Sequence, residues 1–471
     1  MTLERNAKRR LALYGSAAAV AVGLLLASQL LRKREPQLIR RLETGAALHH
    51  EATELLRQYV RIDTTNPPGY TAEAAAFLAR AFACEGIPYQ IVGDDPRRPI
   101  FLARLEGTRH DETLLLLSHM DVVTAGDLSF WSVPPFAAEM GKGMSSDYLY
   151  GRGVLDMKGQ AISYLMAMAA LKRAGIVPRR DILFVAEPGE ESFTPELGIG
   201  WVVEHRPDLL AGVTDVFNEG GVNETVTSDI ARFGIEVLQK ATVNVTLSGK
   251  QEALEDYRRL LKERDGQQSF RLVPEVKAFM QFIGPSRNDI WGRYLVEPER
   301  ALNAAWFRTE APWVYHALLR DVIYPGEVVK GKDGAPRLDA AVTLLPGTPP
   351  AVWRDRLQQW AGERGLTLKV NFMTAESVPA KAEGRAWQTL LDVLSLDHEE
   401  AQVGPYALAA SYTSSGYLRA KGYRAFGVSP FNVNINDAGK IHANNERIVL
   451  AFFIEGVERM SRIVREYATR P

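Results

Sequence analysis

The chain has 471 residues, 46% of them hydrophobic and 24% charged. At about 150 residues per domain this allows roughly three domain-sized pieces, and the near-average composition excludes wholesale disorder and a polytopic membrane protein. Lys+Arg number 56 against 57 Asp+Glu, a formal charge of -1, so no net field draws the chain to nucleic acid. The one cysteine, Cys84, can form no internal disulfide and rules out thiolate-rich zinc and iron–sulfur sites, leaving His and carboxylates as the available metal ligands.

Leu11 to Leu31 carries no charge and is flanked by Arg5, Lys8, Arg9 and Arg10 before it and Arg32, Lys33 and Arg34 after it. The run, residues 11–31, is long enough to span a bilayer. A cleaved signal would have a shorter apolar region and a clear small-x-small site, which LLLASQ supplies poorly, so an uncleaved single-pass N-terminal anchor is expected. The basic flanks are nearly equal and the positive-inside bias almost cancels.

A helical pattern over Glu51 to Arg61 leads into Thr64-Thr65-Asn66-Pro67-Pro68-Gly69, a loop by its turn residues. A helix over Ala72 to Glu85, apolar runs at Ile100–Leu105 and Thr113–Ser118, a helix after Gly159 and a strand over Asp181–Ala186 follow. Strands alternating with helices predict an α/β sheet covered on both faces. After about Arg232 the texture changes to an alternating stretch (Ile235–Leu247), a charged helix (Gln251–Glu263), an irregular aromatic-bearing middle, a second alternating stretch (Leu338–Leu345), a helix (Ala351–Arg364) and a strand (Leu366–Phe372). This reads as a separate α+β unit. Helix and strand patterns resume from Glu383, at Ala386–Leu396, Tyr423–Val428 and Ile448–Tyr467. The predicted organisation is therefore an α/β domain in two segments, residues 45–231 and 383–471, interrupted by an inserted unit at residues 232–382.

Five short motifs carry chemistry. The apolar strand Leu114–Leu117 ends in Ser118-His119-Met120-Asp121, and the end of a buried strand opens into the crevice where α/β sheets bind ligands. A His-x-Asp pair there suits a metal ligand with an orienting carboxylate, although a lone His is also a common structural residue. Tyr150-Gly151-Arg152-Gly153-Val154-Leu155-Asp156-Met157-Lys158-Gly159 presents Asp156 before an apolar helix, where it could also serve as an N-cap. Glu190-Glu191 is either a solvated loop or a site at which a cation offsets the repulsion between two acids. Glu219, in Phe217-Asn218-Glu219-Gly220-Gly221, again follows an apolar run, and His442 lies in Ile441-His442-Ala443-Asn444-Asn445-Glu446 ahead of the last helix.

Together His119, Asp156, Glu191, Glu219 and His442 make a nitrogen and oxygen ligand set that suits zinc. Their order resembles the M20 family of zinc aminoacylases, carboxypeptidases and deacylases: H-x-D, G-R-G-x-x-D-x-K-G, E-E, a later acid and a C-terminal His all occur, with Asn66-Pro67-Pro68-Gly69, Trp131 and Pro134-Pro135-Phe136 as further matches. Length and the N-terminal apolar segment are most similar to the carboxypeptidase S branch. The resemblance implies a zinc-exopeptidase-like catalytic domain, a central mixed sheet with helices on both faces, with an inserted α+β lid. It implies two divalent metal ions, zinc first, with cobalt or manganese as alternatives. Asp156 would bridge them, His119 and Glu219 would complete one site, and Glu191 and His442 the other. Asp121 would buttress His119. Glu190 falls on the family's general base, which takes a proton from the metal-bridging water and passes it to the leaving amine. The expected function is a membrane-anchored metallohydrolase of a peptide or N-acyl amide, its catalytic domain extracytoplasmic, with a homodimer through the lid allowed.

Three segments depart from the family pattern. The lid strand runs into Leu247-Ser248-Gly249-Lys250-Gln251 with no His, so Lys250 is its candidate replacement; Thr343 stands where Arg is common; and Thr413-Ser414-Ser415-Gly416-Tyr417-Leu418-Arg419 has Ser414 for Asp and Gly416 for the Arg that grips a substrate carboxylate. Glycine cannot supply a bidentate clamp. Two other functions compete: a catalytically silent, metal-retaining binding protein, against which the retained Glu190 speaks, and an amidase for a lipid-like substrate, suggested by the anchor and by Phe279, Phe282, Trp291, Trp306 and Trp313, residues that a lid core would also bury.

Overall fold

The computed structural model describes residues 46–142, 147–226, 229–331, 333–397 and 401–470. The chain divides into two units, Met1–His50 and Glu51–Pro471. Of the first, only residues 46–50 are described, as the start of the helix Ala46–Val60. The expected anchor at residues 11–31 lies outside the described residues. None of the described helices is long and apolar enough to cross a membrane.

In chain order the strands of the two large sheets are β1 (Tyr89–Val92), β2 (Ile100–Leu105), β3 (Arg109–His119), β4 (Arg180–Glu187), β5 (Val213–Asn218), β6 (Val222–Val226), β7 (Asp229–Gln239), β8 (Ala241–Ser248), β9 (Val322–Lys330), β10 (Pro336–Leu344), β11 (Thr367–Met373), β12 (Gln402–Leu408) and β13 (Arg424–Gly427). Among the described residues, one sheet has nine strands in the order β6-β7-β13-β5-β3-β4-β2-β1, with β12 added on β7; the other has four, in the order β9-β10-β8-β11. At the centre of the larger sheet β3 runs parallel to both β4 and β5, and β13 parallel to β5. Leu114, Leu115, Leu116 and Leu117 are all fully buried. A strand covered on both faces has no solvated side to alternate toward, which is why this one reads as a continuous apolar run. The helix Gly159–Arg173 packs on the C-terminal helix Leu450–Thr469 and on this sheet. Because the central strands are parallel, their C-terminal ends share one edge, and His119, Glu187 and Asn218 stand there as last strand residues.

The stretch Ile235–Leu247, expected as one element, is two strands that part at Lys240 into different sheets. Strand β7, which straddles the expected boundary at residue 232, is hydrogen-bonded to β6, β12 and β13 of the larger sheet. The four-stranded sheet closes its own core with the helices Gln251–Gly266 and Pro350–Gly362, around Val243, Val245, Tyr257, Leu261, Trp353 and Leu357. The irregular middle is a run of short helices between Pro274 and Leu319. There Phe279 and Phe307 are buried, whereas Trp306 and Trp313 are about half exposed.

A small antiparallel sheet joins segments far apart in sequence. Arg447 to Val449 pairs with Tyr150 to Tyr148, bringing the His442 segment against the glycine-punctuated turn. The Glu446 carboxylate, wholly buried, then accepts from Arg152 Nη1 (2.7 Å) and from the backbone amides of Gly153 (3.0 Å), Leu155 (2.9 Å) and Asp156 (3.3 Å). Gly153 sits at φ +86°, and a Cβ there would lie 2.6 Å from Val122 Cγ1, so only glycine fits this close approach. Glu446→Ala leaves Arg152 as a buried unpaired charge and strands three amides. It should cost about 3–5 kcal/mol by urea unfolding, and a double change with Arg152→Met should cost less than the sum of the two single changes.

Candidate active site

The site is assembled along the shared edge of the parallel strands. His119 closes β3, Glu190 and Glu191 lie in the turn after β4, and Glu219 follows β5. Asp156 comes from the turn latched by Glu446, and His442 from the paired C-terminal segment. All these sequence-predicted residues converge. His119 Nε2 lies 3.0 Å from Asp156 Oδ1 and 3.7 Å from Glu219 Oε2. On the other side His442 Nε2 lies 2.9 Å from Asp156 Oδ2 and 3.3 Å from Glu191 Oε2. Asp156 therefore stands between two imidazoles, one carboxylate oxygen toward each. His119, Asp156 and Glu191 offer ligand atoms within 4.8 Å of one another, and so do His119, Glu190 and Glu219. His442 holds φ +61°, a left-handed backbone that is uncommon for a residue with a side chain and collects at functional positions.

The electrostatics are those of acids crowded out of water. Burial pushes Glu219 up to about 8, with Asp156 adding to the rise. Burial and then the neighbouring Glu219 carry Glu190 well above the usual carboxylate range, and burial also raises Glu191. Asp156 goes the other way: burial opposes its charge, but the hydrogen bonds with His119 and His442 prevail and hold it low. Hydrogen bonds with Asp156 and Glu191 lift His442 to about 10. His119 is raised against its burial by Glu219 and Asp156. One oxygen each of Glu190 and Glu191 is buried without a partner. Buried carboxylates with free lone pairs, two imidazoles and no thiolate form a donor set that fits divalent cations of the zinc type.

Asp121 acts differently from a simple buttress. The partner of His119 Nδ1 is the backbone carbonyl of Asp121, at 2.8 Å, while the Asp121 carboxylate is 3.8 Å away. That carboxylate instead accepts from the amides of Glu190 (3.3 Å) and Glu191 (3.2 Å) and from Asn66 Nδ2 (2.8 Å). It fixes the ring of His119 through the main chain and the acidic turn through its side chain. Sequence reasoning gave no role to Asn66, Arg152, Glu187 or Glu446. Glu187, buried and pushed up to about 7 by that burial, accepts from the amide of Ile199 at 2.6 Å. A charged residue inside an otherwise apolar or glycine-rich run was the available signal for Arg152 and Glu187.

The substrate side has no clamp at the expected places. A Cβ on Gly416 would lie 2.1 Å from Gln239 Nε2, whose amide is tied to Thr413 through its carbonyl (2.7 Å) and its N–H (3.0 Å). Arg419, a candidate to take over the grip, is buried and spends its guanidinium on Glu236 (2.8 and 2.5 Å) and on the Ala425 carbonyl. Thr343 is buried within β10, and Lys250 is exposed at the start of the helix Gln251–Gly266.

Residues 115–466 match the model of peptidase family M20/M25/M40. Aminoacylase-1 of Pongo abelii is 27% identical over 443 residues, covering 91% of this chain and 98% of that protein. Among solved structures, the M20 family metallo-carboxypeptidase Sso-CP2 from Sulfolobus solfataricus superposes with a TM-score of 0.69 at 16% identity, over 89% of this chain and 99% of the other. The di-peptidase Dug1p from Saccharomyces cerevisiae gives 0.71 at 13% identity, over 92% and 98%. The match to aminoacylase-1, over 98% of that protein and 91% of this chain, speaks against the expected location as an anchored enzyme with an extracytoplasmic catalytic domain and corrects it. An uncharged run of sufficient length is necessary for a span but does not make one. Motif order, fold and match agree, and the chain belongs to peptidase family M20/M25/M40 as a metal-dependent amidohydrolase.

Proposed function

We propose that this site hydrolyses a peptide or N-acyl amide bond with two divalent ions, zinc first. His119 and Glu219 would hold one, Glu191 and His442 the other, Asp156 would be a ligand shared by both, and Glu190 would be the general base. The observation that carries this reading is the placement of Asp156, with one oxygen 3.0 Å from His119 and the other 2.9 Å from His442, beside Glu190 with a buried oxygen that has no partner. When bound, the ions polarise a carbonyl and make water a stronger acid. Glu190 takes the proton from the attacking water as its oxygen bonds to the carbonyl carbon, then delivers that proton to the nitrogen as the C–N bond breaks. The products are a carboxylic acid and an amine. Asp121 keeps Glu190 within reach through the amides of the turn, and no serine or cysteine nucleophile is needed. A silent metal-binding protein would have no use for a base held in this way.

Purified protein should bind about two divalent ions per chain, and Asp156→Ala should lose more metal than any other single ligand change, as read by elemental analysis. A fully occupied pair in that variant would remove Asp156 from its bridging place.

Glu190→Gln should keep both ions and lose roughly two to four orders of magnitude in kcat, the usual worth of general acid–base catalysis. Loss of metal along with activity would instead make Glu190 a ligand.

With Gly416 backed by Gln239 and Arg419 committed to Glu236, the substrate class we favour lacks a free carboxylate next to the scissile amide. Matched free-acid and amide-capped N-acyl amino acids should give kcat/KM for the capped form at least equal to that for the acid. A strong preference for the acid that persists in Lys250→Ala would show that another cation holds it.

A further inference from the structure

The four-stranded sheet turns one face to its own core. On β8, Val243, Val245 and Leu247 are buried there, while Thr242, Asn244 and Thr246 alternate onto the other face. On β11, Leu368 and Val370 pack on the same core. Unbroken alternation would send Phe372 to the core as well, since successive side chains change face. The register prevents this: Val245 lies opposite Val370, but Asn244 lies opposite Phe372. Asn371 is thus an extra residue, a bulge that moves Phe372 onto the outward face, and bulges beside active sites commonly re-aim a side chain in this way. The bulge is pinned, because Asn371 Nδ2 donates to Asn244 Oδ1 (2.8 Å) and Thr246 Oγ1 (2.9 Å).

So aimed, Phe372 stacks on Phe193, with ring centroids 4.2 Å apart and planes 17° from parallel. Tyr412 meets Phe193 edge-on at 5.3 Å. Phe193 in turn belongs to the acidic turn: its amide donates to the Glu190 carbonyl at 2.8 Å. Its backbone holds φ +53°, a conformation that a bulky residue keeps only when its surroundings enforce it. Three aromatic rings, from β11, from the turn after β4 and from the segment after β12, thus meet beside Glu190 and Glu191.

We propose that Phe372 is a positioning residue: delivered by the bulge at Asn371, its stack on Phe193 lets the four-stranded sheet hold the Glu190 turn in its working position, which rests on the reading of Glu190 as the base. Phe372 touches no reacting atom and acts through Phe193. The full chain, loaded with zinc, is compared as wild type, Phe372→Ala, Phe372→Tyr and Glu190→Gln. The readouts are kcat and KM on the best substrate among N-acyl amino acids and their amides, bound metal, and amide hydrogen exchange of peptides covering residues 187–195. Phe372→Ala should lower kcat roughly ten- to a hundredfold, the cost of small misplacement of a catalytic group. KM and metal content should stay near wild type, and exchange should rise in residues 187–195 but not in the core of the four-stranded sheet. Phe372→Tyr should restore both kcat and protection. An unchanged kcat in Phe372→Ala beside an inactive Glu190→Gln, or a loss that Phe372→Tyr does not recover, overturns the proposal alone. Should Glu190→Gln prove active, the base reading fails, and the exchange readout still decides: no rise in residues 187–195 overturns the role of Phe372.

Discussion

A single buried carboxylate governs the geometry of the site. Glu446 is inaccessible to solvent, and a charge in that position is tolerated only when its lone pairs are filled and its sign is balanced. Arg152 and the amides of Gly153, Leu155 and Asp156 do both. The glycines of that turn let the backbone close on the carboxylate, so that the turn takes its shape from Glu446. Asp156 is thereby presented at a defined place, and His442, four residues before Glu446, is delivered to the same place from the other end of the chain. Removing this interaction would unfix both sides of the pair at once.

Around that latch the protein concentrates negative charge. Asp156, Glu190, Glu191 and Glu219 crowd around two histidines, and the direction of their proton affinities records the conflict: three are raised by burial and by one another, and the fourth is held low only by its two imidazoles. Gathering such acids opposes folding, and cations bound in the folded state would offset that cost. Asp121 keeps the arrangement from relaxing by tying the turn of Glu190 and Glu191 to the strand end that bears His119. The same logic separates this centre from the arginines nearby. Arg419 and Arg152 each have a buried carboxylate of their own, so neither neutralises the cluster nor reaches a substrate.

The four-stranded sheet folds around its own core, yet it touches the catalytic turn through the outward face that the Asn371 bulge gives to Phe372. A one-residue irregularity in an otherwise regular strand thereby links the second sheet to the turn of Glu190 and Glu191.

Much of this was legible in the sequence, for physical reasons. The continuous apolar run Leu114–Leu117 reads as a strand covered on both faces, and an α/β sheet places its functional groups at such strand ends; short motifs single out His119, Asp156, Glu190, Glu191, Glu219 and His442, and their joint order, through its resemblance to the M20 family, implies their roles. Alternation over Ile235–Leu247 is compatible with one strand or two, because the period is the same in either sheet, and only the pairing partners separated β7 from β8. The bulge at Asn371 has no signature in residue type, since it is defined by what lies opposite. The roles of Glu446 and Asp121 were hidden for the same reason: the first meets Arg152 across 294 positions, and the carboxylate of the second holds a turn 69 and 70 residues away, through backbone amides that any sequence possesses, while only its main-chain carbonyl holds the histidine beside it. Residue chemistry and local spacing thus determined which groups could do the work. Register, burial and long-range pairing, which depend on the closed chain as a whole, decided which of them meet and which, like Arg419, are spent on holding the fold together.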